Sequence, residues 1–237
     1  MNLLALDTSS EGCSAALLVD GEITERFELA PRGHTRLLMP MVRELLAEKA
    51  LMPADLEVLA FACGPGSFTG LRIATGVVQG LAWGLNIPVV PVSSLAAVAL
   101  GAIDRMKLSE NDRVAVAFDA RMSEVYWGCF AYQNSQPVLL GNERVCAPSA
   151  VTLADSAESD KPVRWFGAGQ GWALQSDMPK GVSERMVSVD DSIVPRASWV
   201  ARLAVTGFEQ GKAVPAEQAQ PVYIRDEITW KKLPGRE

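Results

Sequence analysis

Short apolar runs separated by polar turns open the chain and predict three consecutive strands. The runs cover residues 2–6, 13–19 and 22–29. Asp20-Gly21 separates the last two, and Asp-Gly between two such runs is a strong signal for a tight hairpin. The chain is therefore expected to begin with three strands, of which the second and third form a hairpin.

Helical and strand-like patterns then alternate. Apolar residues between 38 and 46 recur at helical spacing, and Pro40 among them means that the helix either begins near Pro40 or is kinked there. A strand is predicted over 56–63, a helix over 70–85, a strand over 88–92 and a further helix capped by Ser93 or Ser94. This order indicates a mixed sheet with helices packed on it.

The same order starts again after residue 112. Strands are predicted over 113–118, 124–132, 138–145 and 163–166, a short helix over 152–156, and a closing helix over 198–210 that ends at Gly211. The two halves share little sequence, so the repeat lies in their topology. It predicts an α/β protein with an N-terminal domain at residues 1–108 and a C-terminal domain, with a surface tail, at 109–237.

Composition narrows the class of protein. The chain has 237 residues, of which 49% are hydrophobic and 21% charged, as expected of a globular protein. Its net charge of −6 argues against binding RNA or DNA alone through a broad basic surface. The four cysteines form no C-x-x-C pair, and neither a signal peptide nor a membrane span is expected. A reduced, cytoplasmic protein is predicted.

Three glycines in the predicted helix 70–85 are the most unusual pattern. Gly76, Gly80 and Gly84 lie on one helical face, because residues four apart point to the same side. Each costs roughly 1 kcal/mol relative to alanine inside a helix. Apolar residues between 71 and 85 already supply a stripe for the core, so the glycines mark a second packed face. That face contacts either an element of the same domain or a helix of another subunit, and the pattern favours the other subunit.

The run GPGSFTGLR, residues 64–72, joins a strand to that helix. It is not a Walker A loop, because no lysine follows Gly70, and it does not fit G-x-G-x-x-G. Two interpretations stay open. The run is either a tight connection in which Ser67 or Thr69 caps the helix, or a phosphate or carboxylate site at the helix N-terminus.

Candidate catalytic groups are few. Asp7 and Asp119 each end the first strand of a half, and two carboxylates across a cleft would suit a metal–nucleotide pair, although a charge pair between Asp119 and Arg121 is favoured. His34 is the only histidine, so a zinc or iron site and a Ser-His-Asp triad are both disfavoured. His34 is predicted to be a helix-start or interface residue.

Five segments together resemble a known family. They are LLALDTSSEGCSAAL, PRGHTRLLMPMV, GPGSFTGLR, FDARMSEVYWG and QPVYIRDEITWKKLPG, and they span essentially the whole chain. They resemble the TsaB (YeaZ) family of bacterial tRNA threonylcarbamoyladenosine biosynthesis proteins. The resemblance implies a two-lobed fold of the actin, sugar-kinase and Hsp70 type (ribonuclease-H-like), with duplicated mixed sheets flanked by helices. It also implies a role in modifying the adenosine next to the anticodon in tRNAs that read codons beginning with A.

In that family the chain is the non-catalytic paralogue of TsaD, the metal-binding transferase, and the ATPase TsaE joins them. The resemblance therefore implies that this chain binds no cofactor stably and that the complex uses ATP. It also implies that the chain contacts tRNA only as part of the complex and forms a homodimer when TsaD is absent. The H-x-x-x-H metal motif of the paralogue is represented here by His34 alone. A glycopeptidase-like or phosphotransferase enzyme of the same fold is the alternative.

The resemblance also assigns residues to two sites. The implied interface with TsaD, or with a second copy, consists of His34, Leu38, Met41, Val42, Leu45, Arg72, Thr75, Gly76, Gln79, Gly80, Trp83 and Gly84. The implied vestigial ligand cleft consists of Asp7, Thr8, Gly66, Ser67, Thr69 and Asp119.

Overall fold

Five strands from the first half of the chain pair into one mixed sheet. The computed structural model describes residues 1–154 and 163–225. In the first sheet β1 runs antiparallel to β2 and parallel to β4, and the strand order is β3-β2-β1-β4-β5. The strands are β1 (Leu3–Asp7), β2 (Gly12–Val19), β3 (Glu22–Leu29), β4 (Val58–Gly64) and β5 (Val89–Ser93), and the helices between them are α1 (His34–Glu48), α2 (Phe68–Leu85) and α3 (Ser94–Arg105).

The second half repeats this topology. Its sheet has the order β10-β9-β6-β7-β8, so β6 takes the place of β1 and β9 that of β4. The predicted pair of duplicated mixed sheets is therefore confirmed. The elements are β6 (Arg113–Asp119), β7 (Val125–Gln133), β8 (Gln136–Cys146), β9 (Trp165–Ala168), β10 (Met186–Asp190), α4 (Lys180–Ser183) and α5 (Ala197–Glu209), with 3₁₀ turns at Pro53–Asp55, Pro148–Ala150, Gln170–Asp177 and Ala216–Gln218.

Alternation along the strands divides the interior into layers. Successive side chains of a strand point to opposite faces of its sheet. In β1, Leu4 and Leu6 join the cluster under α1 and α2, whereas Leu3 and Ala5 face the other way, into a cluster that includes α3 and α5. The layers are thus α1 and α2, the first sheet, α5 with α3, the second sheet, and the segments 148–154 and 170–182.

Two helices cross the division between the halves. Helix α5 packs on β1 and β2 of the first sheet, and α3 packs on β6 and β8 of the second. All strands of the first sheet precede residue 108 and all strands of the second follow it, whereas each half packs one helix on the sheet of the other half. The central core is therefore continuous across the two sheets.

The structure decides several local alternatives. Helix α1 runs through Pro40, whose position is exposed to solvent, and begins at His34. Ser67 caps α2 by accepting a hydrogen bond from Gly70 N at 3.3 Å, and Ser93 caps α3 through Ala96 N at 3.1 Å. The predicted short helix at 152–156 is wrong for 152–154, which form no regular element, and its remainder lies outside the described residues.

Within the described ranges 1–154 and 163–225, no helix combines the length and hydropathy that a membrane crossing requires.

Two glycines of α2 have opposite packing environments and give a direct test of the fold. A Cβ on Gly70 would lie 1.9 Å from the Thr8 carbonyl oxygen, whereas a Cβ on Gly76 would meet no atom within 4 Å. We expect Gly70→Ala to lower the free energy of unfolding by about 2 kcal/mol or more, because backbone must move. Gly76→Ala should raise it by about 0.5–1 kcal/mol. Urea unfolding measures both, and similar effects of the two substitutions would contradict this packing.

Candidate partner-binding face and cleft

The outer face of α2 is open to solvent along its glycine row. Gly76, Gly80 and Gly84 are exposed, and a Cβ built on any of them meets nothing within 4 Å. The opposite face, which includes Ala74, Val78 and Ala82, is buried against β4. No element among the described residues therefore requires these glycines to be small. We call the row formed by Arg72, Gly76, Gly80 and Gly84, together with Trp83, the α2 face.

Trp83 is the most exposed large apolar side chain in the described residues. It is 74% exposed and lies on the α2 face near the end of the helix. Beside it opens a cavity of about 670 Å³ between the end of α2 and residues 213–217. A large exposed apolar side chain such as this tryptophan is a common feature of protein interfaces.

Two other predicted interface residues of α2 are already engaged inside the chain. Thr75 is buried, and its hydroxyl donates to the Leu71 carbonyl at 2.8 Å. The Gln79 side chain is half-buried and donates to the Ala219 carbonyl at 2.9 Å. Thr75 thus lies off the α2 face, and Gln79 lies at its edge beside the C-terminal segment.

The structure corrects the interface assignment on α1. His34, Leu38, Met41, Val42 and Leu45 are all buried. Their helical spacing produces the stripe that covers the first sheet, so these side chains are not on the surface of the chain. The outward side of α1 carries other residues, Arg36, Pro40, Arg43 and Glu44 among them.

A cleft of about 1720 Å³ lies where the carboxyl ends of β1 and β6 face each other. Of the residues assigned to the vestigial ligand cleft, Gly66, Ser67, Thr69 and Asp119 line this cleft, whereas Asp7 and Thr8 are completely buried and do not. The Thr8 hydroxyl donates to the Gly70 carbonyl at 2.6 Å and so ties the end of β1 to α2.

Asp7 is a buried carboxylate of which only one oxygen accepts hydrogen bonds within the described part of the chain. Its Oδ1 accepts from the backbone N and the hydroxyl of Ser9, at 3.0 and 2.6 Å, while Oδ2 has no partner among the described residues. Removal from water disfavours the charged form, and burial raises the pKa of Asp7 to about 6. Asp7 therefore organises the turn after β1.

Asp119 and His34 are likewise held by neighbouring groups. Asp119 Oδ1 accepts from the Arg121 backbone N at 2.7 Å, and Oδ2 forms an ion pair with the Arg121 guanidinium at 3.2 Å, which confirms the favoured charge pair. His34 Nε2 lies 3.0 Å from the Ser10 carbonyl oxygen and 3.2 Å from that of Gly12. A nitrogen facing two carbonyl oxygens is a donor. His34, at the first position of α1, thus holds the turn after β1.

The glycine-rich run after β4 is a close connection between elements. The Ser67 N–H donates to the Ser9 carbonyl at 2.7 Å, and a Cβ on Gly66 would lie 2.4 Å from that oxygen. Gly171, in the run GAGQG, similarly leaves no room for a Cβ, which would lie 2.7 Å from the Ala117 carbonyl carbon. Packing therefore accounts for both glycine-rich runs.

The described residues contain neither a reactive cysteine nor a cluster of metal-ligating side chains. All four cysteines are free, and burial raises the pKa of Cys13 and Cys63 to about 12, so neither thiol ionises near neutral pH. No three His, Cys, Asp or Glu side chains come together as metal ligands in the part of the chain that the structure describes.

The C-terminal segment contributes to the cleft, and no motif of the sequence predicts this contribution. Val222, Tyr223 and Arg225 line the cleft and contact both halves of the chain. The segment was predicted to be part of a surface tail, and it has no helical or strand pattern, so nothing local in the sequence marks these contacts. The rest of the predicted tail, 226–237, lies outside the described residues.

Comparison with known proteins relates the whole chain to one group. Residues 27–184 match the model of the family described as TsaD, tRNA N6-adenosine threonylcarbamoyltransferase. The tRNA threonylcarbamoyladenosine biosynthesis proteins TsaB of Haemophilus influenzae and Escherichia coli are 39% and 38% identical, over 100% of this chain and 99% and 100% of theirs. The structure of YeaZ from Pseudomonas aeruginosa is 45% identical, with a TM-score of 0.86 over 94% of this chain and 99% of that one.

The raised pKa of Asp7 predicts how stability depends on pH. Because the folded pKa, about 6, exceeds the ordinary 3.8, the folded state holds its proton more tightly than the unfolded state does. The contribution of Asp7 to stability is therefore greatest below about pH 4 and declines as the pH rises to about 6, by about 3 kcal/mol in all.

Urea unfolding of the wild type and Asp7→Asn, measured from pH 4 to 8, isolates this contribution. The asparagine keeps an oxygen for Ser9 but no longer titrates. The difference in stability, wild type minus variant, should fall between pH 4 and 6 and level off above 7. Parallel curves across the whole range would show that Asp7 is not the group responsible.

Proposed function

Because the chain belongs to the TsaB family of tRNA threonylcarbamoyladenosine biosynthesis proteins, and so has a role in making that modification, we propose that it acts there as a non-catalytic scaffold and activator subunit. Its partner is the transferase TsaD, and the product is the modified adenosine next to the anticodon in tRNAs that read codons beginning with A. The chain contributes a docking surface, and the transferase contributes the reacting groups.

The observation that carries this proposal is the α2 face. Three glycines inside one helix each sacrifice roughly 1 kcal/mol of helix stability, yet none is needed by the packing of the described residues. A glycine-lined helix lets another backbone approach closely, and the exposed Trp83 offers a large apolar anchor at one end. Both features suit a partner helix laid along α2.

The chemistry of the cleft supports a non-catalytic role. The three side chains best suited to acid–base or metal chemistry are Asp7, His34 and Asp119, and all three make bonds that hold the turns after β1 and β6 in place. Asp7 and His34 are also buried. A catalytic acid or base needs to reach its substrate within hydrogen-bonding distance.

We propose the remaining parts of the assembly from the resemblance to the TsaB family. TsaE joins the pair, ATP is used by the complex, tRNA is met through the complex, and a second copy of this chain occupies the α2 face when the transferase is absent. The match of residues 27–184 to the TsaD family model shows that this chain is related to the proposed partner.

Gly80→Leu tests the proposed face directly. A leucine at Gly80 has open space in the lone chain, so the protein should stay folded and at least as stable as the wild type. The same side chain would separate the two backbones in the complex, so co-purification with TsaD should be lost. Gly181→Leu is the matched control, because Gly181 is a helical glycine of α4 that also faces open space.

The proposal would be contradicted if Gly80→Leu bound TsaD as tightly as Gly181→Leu, or if both variants lost binding equally. Thermal unfolding of the two lone variants establishes that each is folded before the binding experiment.

Trp83→Ala should weaken binding without affecting the fold. A tryptophan that becomes buried in an interface and acts as an anchor commonly contributes about 2 kcal/mol or more, which is roughly thirtyfold in Kd. Val187→Ala, at an exposed apolar position of β10, serves as the control. Calorimetric titration with TsaD measures both, and an unchanged Kd for Trp83→Ala would remove Trp83 from the interface.

Reconstitution of the modification tests the function as a whole. With TsaD, TsaE, ATP, the activated threonylcarbamoyl donor and tRNA present, modified tRNA should accumulate only when this chain is added. The chain by itself should bind neither a stoichiometric metal ion nor ATP at micromolar concentration. Modification by the lone chain would overturn the proposal in favour of an enzyme of the same fold.

A further inference from the structure

Arg72 is held in one orientation by two aromatic side chains. Its guanidinium lies 3.8 Å above the centre of the Phe68 ring, and its Nε donates to the Tyr223 hydroxyl at 3.1 Å. The two rings also contact each other, with centroids 5.3 Å apart. A planar guanidinium stacked on one ring and hydrogen-bonded to a second loses little further freedom when it binds a ligand.

The segment that supplies Tyr223 is itself anchored at both ends. On one side, the Val222 N–H donates to the Cys63 carbonyl at 2.7 Å, where β4 ends. On the other, Arg225 pairs with Glu124 and donates to the Ala120 carbonyl at 3.1 Å. The Tyr223 hydroxyl is therefore a fixed group, and it fixes Arg72.

The terminal amino groups of Arg72 remain available. They form no ion pair or hydrogen bond with the described residues, and Arg72 is exposed. Arg72 precedes Gly76 by four residues and so stands at the head of the glycine row. Arg72 also lines the cleft together with Phe68 and Tyr223, so its guanidinium lies where the α2 face meets the cleft. A partner laid along the α2 face toward the start of the helix would meet this positive charge there.

We propose that Arg72 is the electrostatic anchor of the α2 face and receives an aspartate or glutamate carboxylate of the transferase partner, and that Tyr223 is its positioning residue. The inference rests on the proposed function, because it names the chemistry of the same interface. The two terminal nitrogens match the two oxygens of a carboxylate in a bidentate pair, which lysine cannot reproduce. Charge complementarity at this end and apolar burial at Trp83 would together fix the direction of the partner helix.

Binding of TsaD to four variants of the full chain, without tRNA, tests the anchor. Arg72→Gln should raise the Kd about tenfold to a hundredfold, as expected for a charge-assisted pair. Arg72→Lys should recover only part of that loss. Tyr223→Phe, which keeps the ring and all charges, should raise the Kd about threefold to tenfold. Lys180→Gln, which removes one exposed charge from α4, should leave it unchanged.

The lone chain supplies an independent measurement of the positioning role. In the wild type the Arg72 Nε–H should exchange with solvent slowly, and Tyr223→Phe should accelerate that exchange about tenfold. Equal exchange in the two proteins would show that Tyr223 does not position Arg72.

The outcomes separate this inference from the proposed function. If the wild type binds TsaD and Arg72→Gln binds it equally well, the anchor is overturned and the scaffold role stands. If Arg72→Gln weakens only the affinity of the assembled complex for tRNA, the ligand is a phosphate and the carboxylate assignment is overturned. If the wild type does not bind TsaD at all, the proposed function itself fails.

Discussion

The structure depends on the close approach of helix α2 to the end of β1. Gly70 lies so near the Thr8 carbonyl that no Cβ fits, and Ser67 donates to the Ser9 carbonyl one turn earlier. These contacts set the direction in which α2 leaves the sheet. Because the inner face of α2 is committed to β4, its glycine row must point outward. Packing at the start of the helix thus determines which residues a partner can meet.

The chain uses its chemically versatile groups to hold this arrangement. Asp7 and His34 both act on the turn that follows β1, and Asp119 acts on the equivalent turn after β6. The two turns form opposite walls of the cleft, and the C-terminal segment crosses between the halves beside them. In this account the cleft is part of the scaffold. The three glycines of α2 lower the stability of the helix and leave a face that a partner can approach closely.

Sequence patterns predicted the strands and helices whose formation depends on neighbouring residues in the chain. Short apolar runs and Asp20-Gly21 predicted the first three strands, and four-residue spacing identified the glycine row. The resemblance assigned Leu38 and Leu45 of α1 to the interface, but a helical stripe of this kind indicates burial without showing which element covers it, and here the first sheet does. Two features arise from tertiary packing and leave no local pattern in the sequence. One is that α3 packs on the second sheet and α5 on the first, and the other is the contact between Tyr223 and Arg72, which are 151 residues apart.

The central claim is that the outer face of α2 is where this chain meets the transferase. Hydroxyl-radical footprinting of the chain, alone and with an excess of TsaD, tests it at a single residue, because Trp83 is 74% exposed in the lone chain. The account predicts that oxidation of Trp83 falls several-fold in the complex, while oxidation of the exposed Met52, on the connection between α1 and β4, stays the same. Unchanged oxidation of Trp83 in a complex that has demonstrably formed would contradict it.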